Sequence, residues 1–156
     1  MKNKRGEGYI PACIMVIILC MLTAVCLTFI TAIGVVRMTE RNSRIVLDSF
    51  VMQNAIQIYD SIKNGTDYTQ ELDETAYVEA LCDFAKFDKI GDVLYACSED
   101  GEWMYSITSP VVSFTYEETL KVYASYTVTV PIVFGDVSME WLRIPVTVES
   151  RYNEKF

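Results

Sequence analysis

No charged side chain interrupts the chain between Gly8 and Val36, and from Ile10 onward that run is almost wholly apolar. It exceeds the roughly 20 residues that carry a helix across a bilayer, so residues 9–36 read as a transmembrane helix. The 120 residues after Val36, out of 156, then have to stand as one small anchored domain. A secretory signal has an apolar core of about 7–15 residues and then a small-x-small cleavage site. Here Arg37, Met38, Thr39 and Glu40 follow the run directly, and Cys26 has Val25 rather than Gly or Ala before it. Neither a secretory nor a lipoprotein signal fits, and the segment is expected to be retained.

Lys2, Lys4 and Arg5 form a basic tip over residues 1–8 and favour a cytoplasmic N-terminus, opposed by Arg37, Arg41 and Arg44 beyond the other end. The shortness of the tip tilts the expectation to an N-terminus inside and an extracellular domain, on a single-pass cell membrane protein. Three of the 13 basic side chains and one of the 21 acidic ones lie in that tip, which leaves 10 against 20, a net of −10, after Val36. Such acidity argues against nucleic acid as a partner, because its phosphates would be repelled. The chain has no histidine. That removes Ser-His-Asp and Cys-His catalysis, His-containing zinc sites and a histidine pH switch. The acidic groups Glu99-Asp100-Gly101-Glu102 and Glu117-Glu118 lack the spacing of a calcium loop. No catalytic residue, metal site or cofactor is expected, and the chain reads as a non-enzyme.

The helix is expected to continue past the membrane. Pro11 suits a first helical position, and apart from Gly34 no proline or glycine follows until Gly65. Over residues 37–64, Leu47, Val51, Ala55, Ile58 and Ile62 fall on one stripe at the helical period, widened by Met52, Ile56 and Tyr59. Asn64-Gly65 supplies a stop. Pro11 to Lys63 thus reads as one unbroken helix, about 80 Å long at 1.5 Å per residue.

Residues 66–156 read as an α+β domain. A polar connection over 66–72 leads to a short second helix from Glu74 to Lys89, with Tyr77, Ala80, Leu81, Phe84 and Phe87 on one face and Gly91 beyond its end. Strands follow over Val93 to Ser98, Glu102 to Thr108 and Val111 to Tyr116, the first two joined through Glu99-Asp100-Gly101. Alternation at Val122, Ala124, Tyr126, Val128, Val130, Ile132 and Phe134, then at Leu142, Ile144, Val146 and Val148, marks a long hairpin turning at Gly135-Asp136. Its apolar face needs a cover, and the amphipathic half of the long helix is the one available. The expected architecture is a long N-terminal helix, first transmembrane and then amphipathic, packed on an antiparallel sheet of four to five strands, with one short extra helix. Pro131 and Pro145 belong at an edge, a bulge or an outward-facing N–H slot.

The tip Arg5-Gly6-Glu7-Gly8-Tyr9-Ile10 with the helix behind it resembles the TadE-like minor pilins of tight-adherence (Tad) systems in Gram-positive bacteria, and more broadly type IV pilins and pseudopilins. The resemblance covers about residues 1–65. It implies a leader removed by a prepilin peptidase after Gly6 or Gly8, and a helix that packs with other pilins and the pilus assembly platform. A cut after Gly6 makes Pro11 the fifth mature residue and a cut after Gly8 makes it Cys13, where the family usually carries an acid. A processed subunit and an uncleaved accessory subunit both stay open.

Small residues of the span, among them Ala24, Thr28 and Gly34, allow helices to approach closely in lipid, where packing rather than hydrophobicity drives association. Val46 and Phe50 fall outside the amphipathic stripe and are expected to touch a neighbouring subunit. Cys13, Cys20 and Cys26 read as small hydrophobes of the span. Cys82 and Cys97 lie in the outer domain, where a disulfide and two unpaired thiols are both open. The functional expectation is a pilin-like assembly subunit of a pilus or secretion apparatus. The alternative is a membrane-anchored extracellular binding or sensing domain.

Overall fold

Helix α1 runs from Tyr9 to Gln53, 45 residues, without interruption through the apolar run and the polar stretch behind it. The structure is a computed structural model that describes residues 9–65, 74–116, 120–134 and 137–152. The tip with Gly6 and Gly8, the polar connection over 66–72, Glu117-Glu118 and the Gly135-Asp136 turn lie outside the described residues, as do the side chains of Ile58 and Ile62. The single helix expected to reach Lys63 is instead broken at Asn54. Its side-chain Nδ2 and its backbone N–H both donate to the Phe50 carbonyl, at 2.8 and 3.2 Å. An asparagine amide competing for the i−4 carbonyl loosens the helical ladder at that turn. Helix α2 resumes over Ala55–Asn64 and ends where expected, at Gly65 with φ of 66°.

Helix α3 spans Glu74–Ala85, shorter than the expected reach to Lys89. Lys86 adopts a positive φ of 55°, and Phe87–Ile90 becomes strand β1. Phe87 fits the helical period of Tyr77 and Leu81, but it also starts a strand that pairs with β2, Val93–Cys97. Gly91, at φ of 63°, therefore turns a hairpin instead of capping a helix. Tyr77, Val78 and Leu81 are the buried face of α3; Ala80 and Phe84 are exposed.

The remaining strands are β3 (Trp103–Thr108), β4 (Val111–Tyr116), β5 (Leu120–Phe134) and β6 (Val137–Tyr152). All pairings are antiparallel. Strands β3 and β4 lie end to end along one edge of β5, at Ile107↔Val128 and Val111↔Ser125, and β6 pairs the other edge over its full length. Spatially the sheet is a meander in which a Ser109-Pro110 interruption splits one long strand into two. Pro131 pairs Trp141 beyond the last β3 partner, and Pro145 sits on β6, an edge strand, so neither removes a bond from the sheet interior.

The inner face of the sheet carries Leu94, Ala96, Ile107, Val122, Ala124, Val128 and Val148, all buried, with α1 and α3 as their cover. Strand β6 runs parallel to α1. Leu142 meets the helix near Ala32, and Ser150, at the far end, donates a hydrogen bond to Asp48. The domain thus grips α1 from Ala32 to Val51, beginning inside the segment read as transmembrane.

Candidate assembly surface

One face of α1 holds Ala32, Thr39, Ser43, Val46, Leu47, Phe50 and Val51, all buried, within an arc of about 140° at 100° per residue. This corrects two expectations. Val46 and Phe50 do not face a neighbour; they are core residues, and Phe50 meets Tyr77 edge-on at 5.9 Å between ring centroids. Met52, Ile56 and Tyr59 do not widen the buried stripe but are exposed. The cause is that α1 is covered on two flanks, by the sheet and by α3, so the apolar arc extends toward Val46 and Phe50 rather than away from them.

Opposite that arc lies an open face. Met38, Ile45 and Met52 recur at seven-residue intervals with relative exposures of 58%, 40% and 77%; Met38 and Ile45 stand at its rim, where each borders a groove shared with the domain, Met38 beside Met104 and Ile45 beside Ala80 and Phe84, and Ile56 follows on α2. Gly34 lies on the same side, and a Cβ added there would meet nothing within 4 Å. Ala24 and Thr28 are half-buried. The Thr28 hydroxyl donates to the Ala24 carbonyl at 3.0 Å, and Thr28 lines a cleft with Ile132 and Leu142 of its own domain. Of the small residues singled out, Gly34 alone is wholly open to a second helix. The 18-residue window that marks α1 as a candidate membrane span has none of its residues buried.

Beneath the covered face runs a seam of hydroxyls that sequence reading missed. The Ser43 and Tyr77 oxygens lie 2.7 Å apart, and the Tyr77 hydroxyl also reaches the Ser43 carbonyl at 3.3 Å. Tyr105 faces Thr39, and Tyr126 faces Ser43 without completing a hydrogen bond. The signal was present as Thr39 and Ser43 spaced i, i+4 on the buried stripe, but their partners come from distant elements. Burial pushes the Tyr77 phenol from 10.0 up to about 12, with the Ser43 hydrogen bond acting the other way. Burial likewise takes Tyr126 to about 12.

These geometries give the two tyrosines opposite expected effects. Tyr126→Phe removes a buried hydroxyl with no partner and is expected to stabilise the fold by about 1 kcal/mol, whereas Tyr77→Phe strands Ser43 and destabilises it by about 1 kcal/mol. Urea unfolding in mild detergent measures both. Because the folded-state values are raised above 10.0, stability is complete below about pH 10 and falls as pH climbs toward about 12. Phenolate absorbance from these two rings should therefore appear together with loss of near-UV circular dichroism.

The outer face of the sheet is mostly hydroxylic, with one aromatic end. Across the bulge at Ala96/Cys97, Trp103 pairs Cys97 on the outer side, and its ring lies 4.2 Å from Trp141 and 6.0 Å from Tyr95. Together with Thr129 and Arg143 they line an open groove of about 720 Å³. The Trp103 indole N–H is buried there without a hydrogen-bond partner. Cys82 and Cys97 are free thiols in separate surroundings. Burial pushes both upward, with Lys89 opposing it at Cys82 and Asp88 adding to it at Cys97. Among the described residues no group of three or more His, Cys, Asp or Glu is placed to hold a metal ion.

Comparison with protein-family models, with curated proteins and with solved structures returns no match. Function has to be argued from these surfaces.

Proposed function

We propose that the chain is a pilin-like, TadE-type assembly subunit, anchored by α1 with its N-terminus in the cytoplasm and its domain outside, and that it works by packing this helix against those of neighbouring pilins. The observation that carries the reading is the open face of α1. A helix already covered by its own sheet and by α3 still presents Met38, Ile45 and Met52 to solvent at heptad spacing, continuing a span whose apolar surface is also unburied. Helices that bury such a row do so against one another. Gly34 adds a point of close approach. Entry of the leader into a prepilin peptidase belongs to the same proposal.

A cross-linking experiment in native membranes tests it. Met52→Cys sits at an exposed position, and mild oxidation is expected to join it to a neighbour, while Ile45→Asp in the same chain abolishes the product without unfolding the domain. A second, independent loss is expected from Gly34→Leu, which fits the isolated subunit but not a close helix pair. If neither Met52→Cys nor the native Cys13, Cys20 and Cys26 yield any cross-linked species, the assembly reading fails. The groove bounded by Tyr95, Trp103, Trp141 and Arg143 would then favour the second reading, an anchored binding domain working as a monomer.

A further inference from the structure

We infer that the outer face of the sheet holds a binding groove for an acidic saccharide, a chain of sugar rings that carries carboxylates. Leu94, Ile107 and Val128 point inward to the helices, so Tyr95, Ser106 and Thr129, their neighbours in the chain, point outward. This face takes no part in covering α1 and is available whether the chain packs with neighbouring helices or stands alone. The shape of the groove follows from the strand register. Tyr95 pairs Ser106, Ser106 pairs Thr129 and Thr129 pairs Arg143, which sets four side chains in one row across β2, β3, β5 and β6. The two middle strands contribute the small residues of that row and the two flanking strands the large ones. Ser106 and Thr129 therefore form a floor between walls made by Tyr95 and Arg143, and the Trp103–Trp141 pair closes one end.

Floor, end and wall each match a different part of such a ligand. The Ser106 and Thr129 hydroxyls have no hydrogen-bond partner among the described residues, and Thr108, which accepts the Thr127 N–H at 2.9 Å, keeps its own proton to donate. Hydroxyls both donate and accept, as those of a sugar do, whereas an apolar ligand would cover them unpaired. Trp141 keeps 43% of its surface exposed and lies 4.2 Å from Trp103. The negative face of an indole ring attracts the partly positive C–H bonds of a pyranose ring. Arg143 is exposed, is the charged side chain of the lining, and has no ion-pair partner among the described residues. Its guanidinium fork fits a carboxylate through two parallel hydrogen bonds. In an outer chain of net −10, an unpaired cation beside hydroxyls and no acid is complementary to an anion at this place.

Size and backbone pairing narrow the choice of ligand. A volume of about 720 Å³ falls within the roughly 300–1,000 Å³ of small-ligand sites. At Ser106 and Thr129 the strands are paired on both sides, so an extended peptide cannot add there as a further strand, and recognition falls to side chains. Nucleic acid is repelled by the charge of the domain. The buried Trp103 indole N–H without a partner is a local defect of the kind that proteins carry at functional sites.

Both tryptophans of the protein line this groove, so its emission reports on a ligand there. Full-length protein in mild detergent is titrated with oligogalacturonate, with the methyl ester of the same oligosaccharide, and with a glutamate oligopeptide, each followed by tryptophan emission and by calorimetry. The expected result is saturable binding of oligogalacturonate, with at least about tenfold weaker binding of the ester and a similar loss when Arg143→Gln meets the acid. Trp141→Ala is expected to abolish binding of both saccharides, and both variants should keep the circular dichroism of the parent because both side chains are exposed. No saturable signal with either saccharide overturns the site. Equal affinity for acid and ester overturns the acidic ligand, and this comparison needs no variant, so it decides even where a substitution disturbs the sheet. Full binding of oligogalacturonate by a folded Trp141→Ala or Arg143→Gln variant puts the ligand elsewhere and overturns the groove. A glutamate oligopeptide bound as tightly as oligogalacturonate overturns the sugar and leaves a carboxylate site for acidic peptides.

Discussion

Leu47→Ala is expected to remove about 2–5 kcal/mol from the folding free energy, the range seen when a wholly buried leucine is truncated and the cavity does not collapse. Leu47 has no exposed surface and sits on the part of α1 covered by both the sheet and α3. Its neighbours along the stripe, Val46, Phe50 and Val51, are themselves locked between those two layers, so relaxation into the void is limited. Small domains have only about 5–15 kcal/mol of total stability, which makes the loss a large fraction of the whole. Ile45→Ala, two positions away on the open face at 40% exposure, is expected to change stability by no more than about 0.5 kcal/mol. Urea unfolding in mild detergent, followed by circular dichroism, compares the two. Equal effects would mean that the covered and open faces of α1 have been assigned the wrong way round.

That contrast also marks what the sequence could and could not convey. The period-2 alternation from Val122 to Val130 and at Val146 and Val148 gave the long hairpin, because every second residue does face the helix. The helix stop at Asn64-Gly65 was legible for an equally local reason, a glycine at positive φ. The width and side of the buried arc on α1 were not. Leu47 and Val51 were evident from spacing, but whether Val46 and Phe50 or Met52 and Ile56 joined them depended on where α3 packs, and helical periodicity carries no information about a third element.

Strand β1 was hidden for a related reason. Phe87 satisfies the period of α3 as well as a strand start, and the break falls at Lys86, a residue whose positive φ has no mark in sequence. The Ser43–Tyr77 contact and the Trp103–Trp141 pair were invisible because each joins distant segments. The first requires α3 to lie on α1, and the second requires the Cys97↔Trp103 bulge and the Pro131↔Trp141 register together. The candidate membrane span, in contrast, was readable from composition alone, since length and apolar content define it and no particular partner does.

The readiest challenge to the proposed membrane anchoring is an Ile18→Lys and Leu22→Lys double substitution, expected to release the protein from the membrane. Both side chains are about three-fifths exposed, at 60% and 61%, and belong to a helical stretch with no buried residue. Replacing them leaves the domain core untouched, so any effect must come from the medium around the helix. Each lysine near the middle of a span costs about 2.5–3.5 kcal/mol on insertion scales and also forfeits the gain from the apolar residue it replaces, roughly 0.3–0.6 kcal/mol. Two together remove about 6 kcal/mol or more, and their spacing of i, i+4 places both charges on one face, where they repel. Alkaline carbonate extraction is expected to move the doubly substituted chain from the pellet to the supernatant, with the sheet's circular dichroism retained in detergent. If the double variant stays in the pellet while Leu47→Ala unfolds as described, α1 is not held by lipid over Ile18–Leu22. The apolar surface there would then have to be buried against other protein, the same helix-to-helix contact that the open face of Gly34, Ile45 and Met52 already invites farther along.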